Sequence, residues 1–257
     1  MNKWAFLFFL LSTLAQAEPV ASNSFLIEEA YNQEPGVVQF IQSFRKPKDG
    51  KSWLYNLTVE VPIQDENHQV SVDLPVGHTQ SSQTELGDIQ LNYRRQLAAS
   101  KDVVSTARLS LGLPTGEEKH DLGSGNVGAE AALISSVAVS KKWMQHFNFG
   151  FGFTPSAKDG SGNQADVQKF FWGFSNIYLV TDDFNLMFEV VGTQEEQVLP
   201  GNVAAWTQST VINPGLRYGF DVSGWDVVPG LSIPLQVGNG EHTTSIFAYL
   251  SIEGILF

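Results

Sequence analysis

Residues 52–61, SWLYNLTVEV, alternate between apolar and polar side chains along almost the whole segment. Successive side chains of a β-strand point to opposite faces, so this period of two predicts a strand with one apolar and one largely polar face. Residues 147–153 repeat the pattern, with phenylalanine at every second position. The apolar face of the first segment consists of Trp53, Tyr55, Leu57, Val59 and Val61.

The same alternation recurs along the chain and predicts an all-β protein with twelve strands. No segment of useful length with the helical period of 3.6 residues interrupts them. The strands are expected near residues 36–45, 52–61, 68–74, 87–97, 103–113, 127–139, 143–154, 167–180, 184–192, 206–220, 225–236 and 243–257. Prolines at 214, 229 and 234 predict bulges or short strands, because proline lacks the N–H that a closed sheet needs.

The connections between these strands alternate in length. Odd-numbered connections are mostly long and polar, for example residues 114–126, 155–166 and 193–205, whereas even-numbered ones such as 140–142 and 181–183 are short. Barrels of the Gram-negative outer membrane combine long outside loops with short periplasmic turns, and a soluble β-sandwich gives no reason for this alternation. We therefore expect a transmembrane antiparallel up-and-down β-barrel of twelve strands, with both chain ends on the periplasmic side.

Residues 1–17 have the pattern of a cleaved signal peptide. Lys3 precedes an apolar core at residues 4–14, which is shorter than the roughly 20 residues of a membrane-spanning helix. Ala15 and Ala17 are small residues of the kind that a signal peptidase reads. We expect export, with residues 36–257 forming a barrel in the cell outer membrane and residues 18–35 preceding it.

The amino-acid composition limits the kinds of partner that the protein can bind. The chain has no cysteine, which excludes a cysteine-linked lipid anchor and a disulfide framework. Its net charge of -12 argues against nucleic acid, because a phosphate-binding surface is basic. A mean hydropathy of -0.08 fits a barrel in which lipid-facing and lumen-facing side chains average out. Outer-membrane lipid and small solutes are the expected partners, and no cofactor or metal is expected.

The polar faces of the predicted strands carry charges of both signs, which would line the lumen. Two interpretations stay open: a ladder of ion pairs that stiffens a narrow barrel, or a constriction that selects solutes by charge and size. Twelve strands leave room for only a modest channel, because eight-stranded barrels are filled and sixteen-stranded porins hold water. The candidate lumen residues are Glu60, Asp88, Asn92, Arg94, Arg108, Glu130, His146, Asn148, Glu189 and Arg217.

The segment 18–35 carries apolar side chains that are expected to be buried away from water. We hypothesise that it folds into the lumen as a plug and meets the inward arginines, with Ser24 capping a short helical turn. The alternative is a mobile periplasmic tail, which would leave these side chains in water. The apolar side chains are Phe25, Leu26, Ile27 and Tyr31.

The C-terminal strand contains a conflict. Phe257 after a strand resembles the signal by which the barrel-assembly machinery recognises outer-membrane proteins. Counting back from Phe257, however, the same face holds Glu253 and Ser251, whereas the other face, with Ile246 and Leu250, is more apolar. A carboxylate facing lipid is costly. We therefore expect either a bulge that shifts the register or a position of Phe257 at the rim.

Seven motifs in a fixed order resemble one known family. They are residues 25–36 (FLIEEAYNQEPG), 86–97 (LGDIQLNYRRQL), 107–116 (ARLSLGLPTG), 123–130 (GSGNVGAE), 213–218 (NPGLRY), 228–234 (VPGLSIP) and 249–253 (YLSIE). Together they resemble the outer-membrane proteins named for the meta-cleavage pathway of phenol degradation. The resemblance covers nearly the whole mature chain and implies an outer-membrane barrel that acts as a transporter. It supplies no ligand-binding residues, and the chain departs from the pattern at Arg95, where an aromatic residue is common.

Two kinds of chemistry find little support. A barrel that hydrolyses lipid needs serine and histidine side by side on its outer wall. His146 instead points to the lumen, and no serine lies in a nucleophile motif. Residues 159–163 (DGSGN) resemble the start of a calcium loop but lack the glycine at position six and the closing glutamate, which favours an ordinary outside loop.

These patterns predict a porin-like, non-enzymatic channel or transporter for small solutes, with hydrophobic or aromatic solutes as candidates. The alternative is a closed, non-conducting outer-membrane barrel with a partner-binding or envelope-structural role. A secreted soluble β-protein is the third interpretation.

Overall fold

The computed structural model describes residues 23–48, 50–79 and 84–256. The predicted signal peptide, residues 18–22 and Phe257 lie outside these ranges. No helix within the described ranges is both long and apolar enough to cross a membrane. The strands are β1 (Val37–Pro47), β2 (Trp53–Ile63), β3 (Asp65–His78), β4 (Thr84–Leu86), β5 (Ile89–Ala99), β6 (Val103–Leu113), β7 (Gly128–Ser140), β8 (Trp143–Lys158), β9 (Gln164–Leu179), β10 (Phe184–Leu199), β11 (Val203–Tyr218), β12 (Phe220–Val222), β13 (Trp225–Ser232), β14 (Leu235–Gly238) and β15 (Glu241–Ile255).

The sheet closes on itself into a barrel with twelve wall positions, as the sequence predicts. Neighbouring strands pair antiparallel in chain order, and β1 pairs with β15 from Val37 opposite Ile255 to Pro47 opposite Ser245. The short strands β4 and β12 pair antiparallel with β3 and β13, and β13 and β14 share one position between β11 and β15. A closed sheet leaves no free edge in the wall, which satisfies the backbone in a membrane.

The wall position between β11 and β15 is divided into two short strands, β13 and β14, near a proline, as the sequence predicts. β13 ends at Ser232 and β14 begins at Leu235, so Pro234 lies in the gap. The barrel stays closed there because the N–H of Ile233 donates to the carbonyl of Pro214 at 3.2 Å. The N–H of Ser245 likewise donates to the carbonyl of Pro234 at 2.9 Å.

Two of the predicted long loops are mostly strand. β8 continues to Lys158 and β9 starts at Gln164, so only a tight turn remains of the predicted connection 155–166. β10 and β11 shorten the predicted connection 193–205 in the same way. Beyond the membrane neither face of a strand has to be apolar, so the sequence pattern fades while the backbone ladder continues. The connection between β6 and β7 remains long and holds a 3-10 turn at Glu118–His120.

The C-terminal strand keeps one register along its whole pairing with β1, so the bulge considered above is absent from β15. Phe247 and Tyr249 are each 4% exposed and point into the barrel, whereas Ile246 on the other face is 59% exposed. The apolar face therefore meets lipid, and the face with aromatic and polar side chains meets the interior. The interior supplies apolar partners for these rings, since Phe25 of the N-terminal segment contacts both.

Candidate functional site: the lumen and its N-terminal segment

Residues 23–35 lie inside the barrel and cross its interior. Ala30 is fully buried and packs against Val104, Ala132 and Ile134 of the wall. Hydrogen bonds connect the segment to strands on most sides of the barrel. The wall residues that take part are Gln39, Glu66, Gln69, Arg94, Thr106, Ser136, Asn148, Ser175, Glu189 and Tyr249.

Glu189 anchors the start of the segment. Its Oε1 accepts hydrogen bonds from three successive backbone N–H groups, of Phe25 and Leu26 at 3.0 Å and of Ile27 at 3.3 Å. Its Oε2 accepts from the side-chain amide of Asn213 at 2.6 Å. The carboxylate thus provides an acceptor for three successive backbone N–H groups of the segment.

The predicted helical turn is absent, and Ser24 does not cap it. Its hydroxyl instead donates to Ser175 on β9 at 2.6 Å. Residues 25–27 form bends rather than a helix. The wall overrides the local preference of serine for capping, because Glu189 accepts from the backbone N–H groups and Ser175 accepts from the hydroxyl of Ser24.

Arg94 holds the middle of the segment. Its guanidinium donates to the backbone carbonyls of Glu29 and Tyr31, the latter at 3.0 Å. The carboxylate of Glu60 lies 3.8 Å away, and both side chains are almost fully buried. A buried charge needs a partner and further hydrogen bonds, and here the segment's own carbonyls supply part of them.

Polar side chains of β7 and β8 form hydrogen bonds with the backbone of the segment. Asn148 accepts from the N–H of Glu28 at 2.7 Å and donates to its carbonyl at 2.8 Å. The hydroxyl of Ser136 accepts from the N–H of Ala30 at 2.7 Å and lies 2.7 Å from Nδ1 of His146. Because Ser136 and His146 are fully buried and already engaged, this serine–histidine pair has no access to a substrate.

A charge network lies at the surface of the segment. Arg108 contacts Glu28 of the segment at 2.6 Å and Glu130 of the wall. Lys169 binds Glu130 at 3.2 Å. Glu130 and Lys169 also line a cavity of about 270 Å³ above the segment, so the network faces the open part of the lumen. Two acids and two bases make it close to neutral.

Phe25 occupies a slot in the wall. Its ring lies 5.6 Å from the ring of Phe247 and 5.1 Å from that of Tyr249. Gly215 and Gly230 form the floor of the slot, since a Cβ atom at either position would approach the ring to about 2.6 Å. Glycine is needed here for close approach.

The remaining predicted lumen residues have structural roles. Arg217 is fully buried and donates through Nε to Asn185 at 3.2 Å. Asn92 donates to Ser71 at 3.1 Å and to Asp73 at 2.8 Å. These contacts join neighbouring strands across the inner wall.

Asp88 lies just before β5 and lines the same cavity as Glu130. Its carboxylate accepts from the N–H of Gly116 at 3.0 Å and from the N–H and hydroxyl of Ser124, each at 2.7 Å. It fastens the long β6–β7 connection at the mouth of the barrel. The alternating pattern of residues 88–94 begins one residue before β5, which starts at Ile89.

Sequence reasoning missed several uncharged residues that bind the segment. Gln39, Gln69 and Ser136 are each at most 1% exposed and bind the segment directly. Ser136 lies on the same face of β7 as Glu130, so alternation could have identified it. Gln39 lies on β1 and Gln69 on β3, and neither strand carries a predicted lumen residue.

Metal binding finds no site in the described ranges, where no cluster of three or more His, Cys, Asp or Glu could hold an ion. Asp159 begins the turn that resembles a calcium loop. Its oxygens accept from the N–H groups of Ser161 and Asn163 and from the side-chain amide of Asn163, at 2.8–2.9 Å. These bonds, the Asn163 side chain first, lower the pKa of Asp159.

Comparisons with known proteins identify the class. No family model and no curated protein matches the chain. Among solved structures, an outer-membrane channel from Pseudomonas putida F1 is similar with a TM-score of 0.67 at 13% identity, over 88% of this chain and 98% of that one. The NanC porin has a TM-score of 0.58 at 12% identity, over 85% and 100%. The KdgM porin has a TM-score of 0.54 at 10% identity, over 85% and 99%.

The shared fold and the apolar outer wall define the class of this chain. Exposed large side chains such as Phe149, Leu133 and Leu231 cover the outside, at 57–61% exposure. A continuous apolar exterior is stable only against hydrocarbon. The chain is therefore a twelve-stranded β-barrel of the outer-membrane type, located in the outer membrane.

Proposed function

We propose that the protein is a passive channel for small solutes whose path runs past the N-terminal segment. The observation that carries this proposal is a closed wall with a polar inner face and an open cavity above the segment. The Ser136–His146 pair is buried and occupied, which supports a non-enzymatic role. The segment 23–35 acts as a fixed constriction, because its backbone is bonded to the wall on several sides.

The cargo class remains part of this proposal. Gln90, Ser110, Glu130 and Lys169 around the open cavity suit small polar solutes. Hydrophobic or aromatic solutes are the second candidate cargo class. Phe257 would serve as the signal for the barrel-assembly machinery, and outer-membrane lipid surrounds the folded wall.

A second candidate function is a closed, non-conducting barrel with a role in the envelope. The bonds that connect the segment to β3, β5, β7, β8 and β10 favour it, since they fill the middle of the lumen. In this case the outer connections would bind a partner.

Conductance in planar bilayers separates the two. We expect the wild-type protein to conduct weakly and a variant lacking residues 23–35 to conduct more. Heat-modifiable gel mobility of both proteins verifies that the barrel has folded. A wild-type protein that folds but carries no current at any voltage would contradict the channel and favour the closed barrel.

A reversible crosslink tests whether the segment is fixed. The chain has no cysteine, so a double variant Ser24→Cys and Ser175→Cys can form only the intended disulfide. The two hydroxyl oxygens are 2.6 Å apart, which brings the new thiols within bonding reach. We expect equal conductance before and after reduction. A current that appears only on reduction would show that the segment has to leave the lumen.

A further inference from the structure

The outer rim of the barrel, opposite the chain ends, is uneven. β11 begins at Val203, but its pairing with β14 starts only at Ser209 opposite Gly238. Residues 203–208 therefore rise beyond the turn at Asn239 and Gly240 that joins β14 to β15. One long hydrogen bond of 3.4 Å, from the N–H of Gln208 to Asn239, connects the two sides. We call this gap the rim notch.

Two cavities meet at the rim notch. The outer cavity, of about 510 Å³, lies on the outside of the barrel, and the inner one, of about 150 Å³, belongs to the lumen. Strand pairing sets these sides: Gln208 shares its outward face with Gln194 and Phe170, whereas Thr207 shares the inward face with Glu195 and Lys169. Both cavities are lined by Thr207, Gln208 and Asn239.

The outer cavity combines an aromatic platform with uncharged polar groups. Phe170 and Trp206 stack with ring centroids 5.9 Å apart at an angle of 27°. Both rings are open to a ligand, at 39% and 50% exposure. The other lining residues offer only amides and one hydroxyl, and the lining contains no charged side chain. Its size lies in the range of small-molecule sites, about 300–1,000 Å³.

We propose that the rim notch binds an uncharged amphiphile with a ring at one end and hydroxyl groups at the other. The ring would stack on Phe170 and Trp206, since offset aromatic contacts are favourable. The hydroxyl groups would reach Thr207, Gln208 and Asn239, whose donors and acceptors serve both cavities. A charged group would lose hydration without finding an opposite charge in the outer cavity. Glu195 in the inner cavity also repels an anion.

The position of the site makes it a side entrance to the lumen. Trp206 and Phe170 belong to the outer face, while Thr207 opens onto the space inside. An amphiphile held here would present its polar end to the lumen and its ring to the membrane interface, where aromatic side chains are favoured. The site does not depend on whether the barrel conducts.

Equilibrium dialysis of 4-nitrophenyl β-glucoside against the protein in lipid nanodiscs tests the proposal. Empty nanodiscs correct for partition of the probe into lipid. We expect saturable binding by the wild-type protein, weakened at least about tenfold by Trp206→Ala. Asn239→Gly removes the amide and keeps the positive φ of 49°, and should weaken binding roughly 3- to 10-fold.

Controls locate the site and its charge preference. Trp143→Ala removes another outward tryptophan, 41% exposed at the opposite end of the barrel, and should leave binding unchanged. The charged analogue 4-nitrophenyl phosphate should show no saturable binding. The proposal is overturned by absent binding of the glucoside, by full binding to folded Trp206→Ala or Asn239→Gly, or by equal binding of the phosphate.

Discussion

The backbone N–H of Phe25 donates a 3.0 Å hydrogen bond to Oε1 of Glu189, although 164 residues separate the two in sequence. The same oxygen accepts from Leu26 and Ile27. One fully buried carboxylate thereby fixes the point at which the N-terminal segment enters the lumen. Replacing Glu189 should affect the segment before it affects the wall.

Glu189→Gln should loosen the start of the segment. Hydrogen bonds to a charged acceptor are stronger than those to a neutral amide, so we expect a loss of about 1–2 kcal/mol in local stability. Hydrogen exchange at the amides of Phe25, Leu26 and Ile27 measures it. Glu195→Gln on the same strand, which does not touch the segment, is the matched control. Unchanged exchange at these amides in Glu189→Gln would contradict the anchoring role.

The buried pair of Arg94 and Glu60 predicts a non-additive response. Arg94→Leu leaves the carboxylate of Glu60 without its charged partner at 3.8 Å, and we expect a cost of about 3–5 kcal/mol. The double variant with Glu60→Leu should recover part of this loss, because no uncompensated charge remains. The temperature at which the barrel loses its fast gel mobility reports both values. A double variant no more stable than Arg94→Leu would rule out the pairing argument.

The slot for Phe25 predicts that Gly230→Ala is destabilising. Its Cβ would lie 2.5 Å from Cε1 of the Phe25 ring, so the ring has to move away from Tyr249. Overpacking of this kind costs about 1–3 kcal/mol. Gly112→Ala is the control, since the nearest atom there is 4.0 Å away. Equal melting temperatures for the two variants would mean that the slot is not tightly packed.

The turn at Asp159 should depend on pH in one direction. Hydrogen bonds from Asn163 and from nearby backbone N–H groups lower the pKa of Asp159. The turn is therefore stabilised above the ordinary aspartate pKa of about 3.9 and loses this contribution as pH falls through the lower folded value. Amide protection at Ser161 and Asn163 should be constant from about pH 8 to 5 and fall below about pH 4.

Asp159→Asn provides the matched control for this titration. Asparagine keeps an acceptor oxygen but does not titrate in this range. Its turn should be less protected at neutral pH and insensitive to acid. A wild-type turn whose protection changes between about pH 5 and 8 would point to another titrating group.

Local alternation determined the wall of this protein. In the segment 52–61, side chains of opposite character point to opposite faces, so strand position and the facing of Glu60 follow from neighbours in sequence. The same reasoning placed Arg94, Arg108 and Glu189 on the inner face. Where both faces lie in water, as in the upper parts of β8–β11, the signal fades and the strands were predicted too short.

Only the tertiary structure decided what fills the interior of the barrel. The contact of Glu189 with Phe25, the contact of Phe247 with Phe25 and the rim notch at Asn239 all join residues that are far apart in sequence. A period-two pattern carries no information about which strand lies across the barrel, because that depends on closure. Closure brings the N-terminal segment and the C-terminal strand together, and this proximity gives the aromatic face of β15 an apolar interior to pack against.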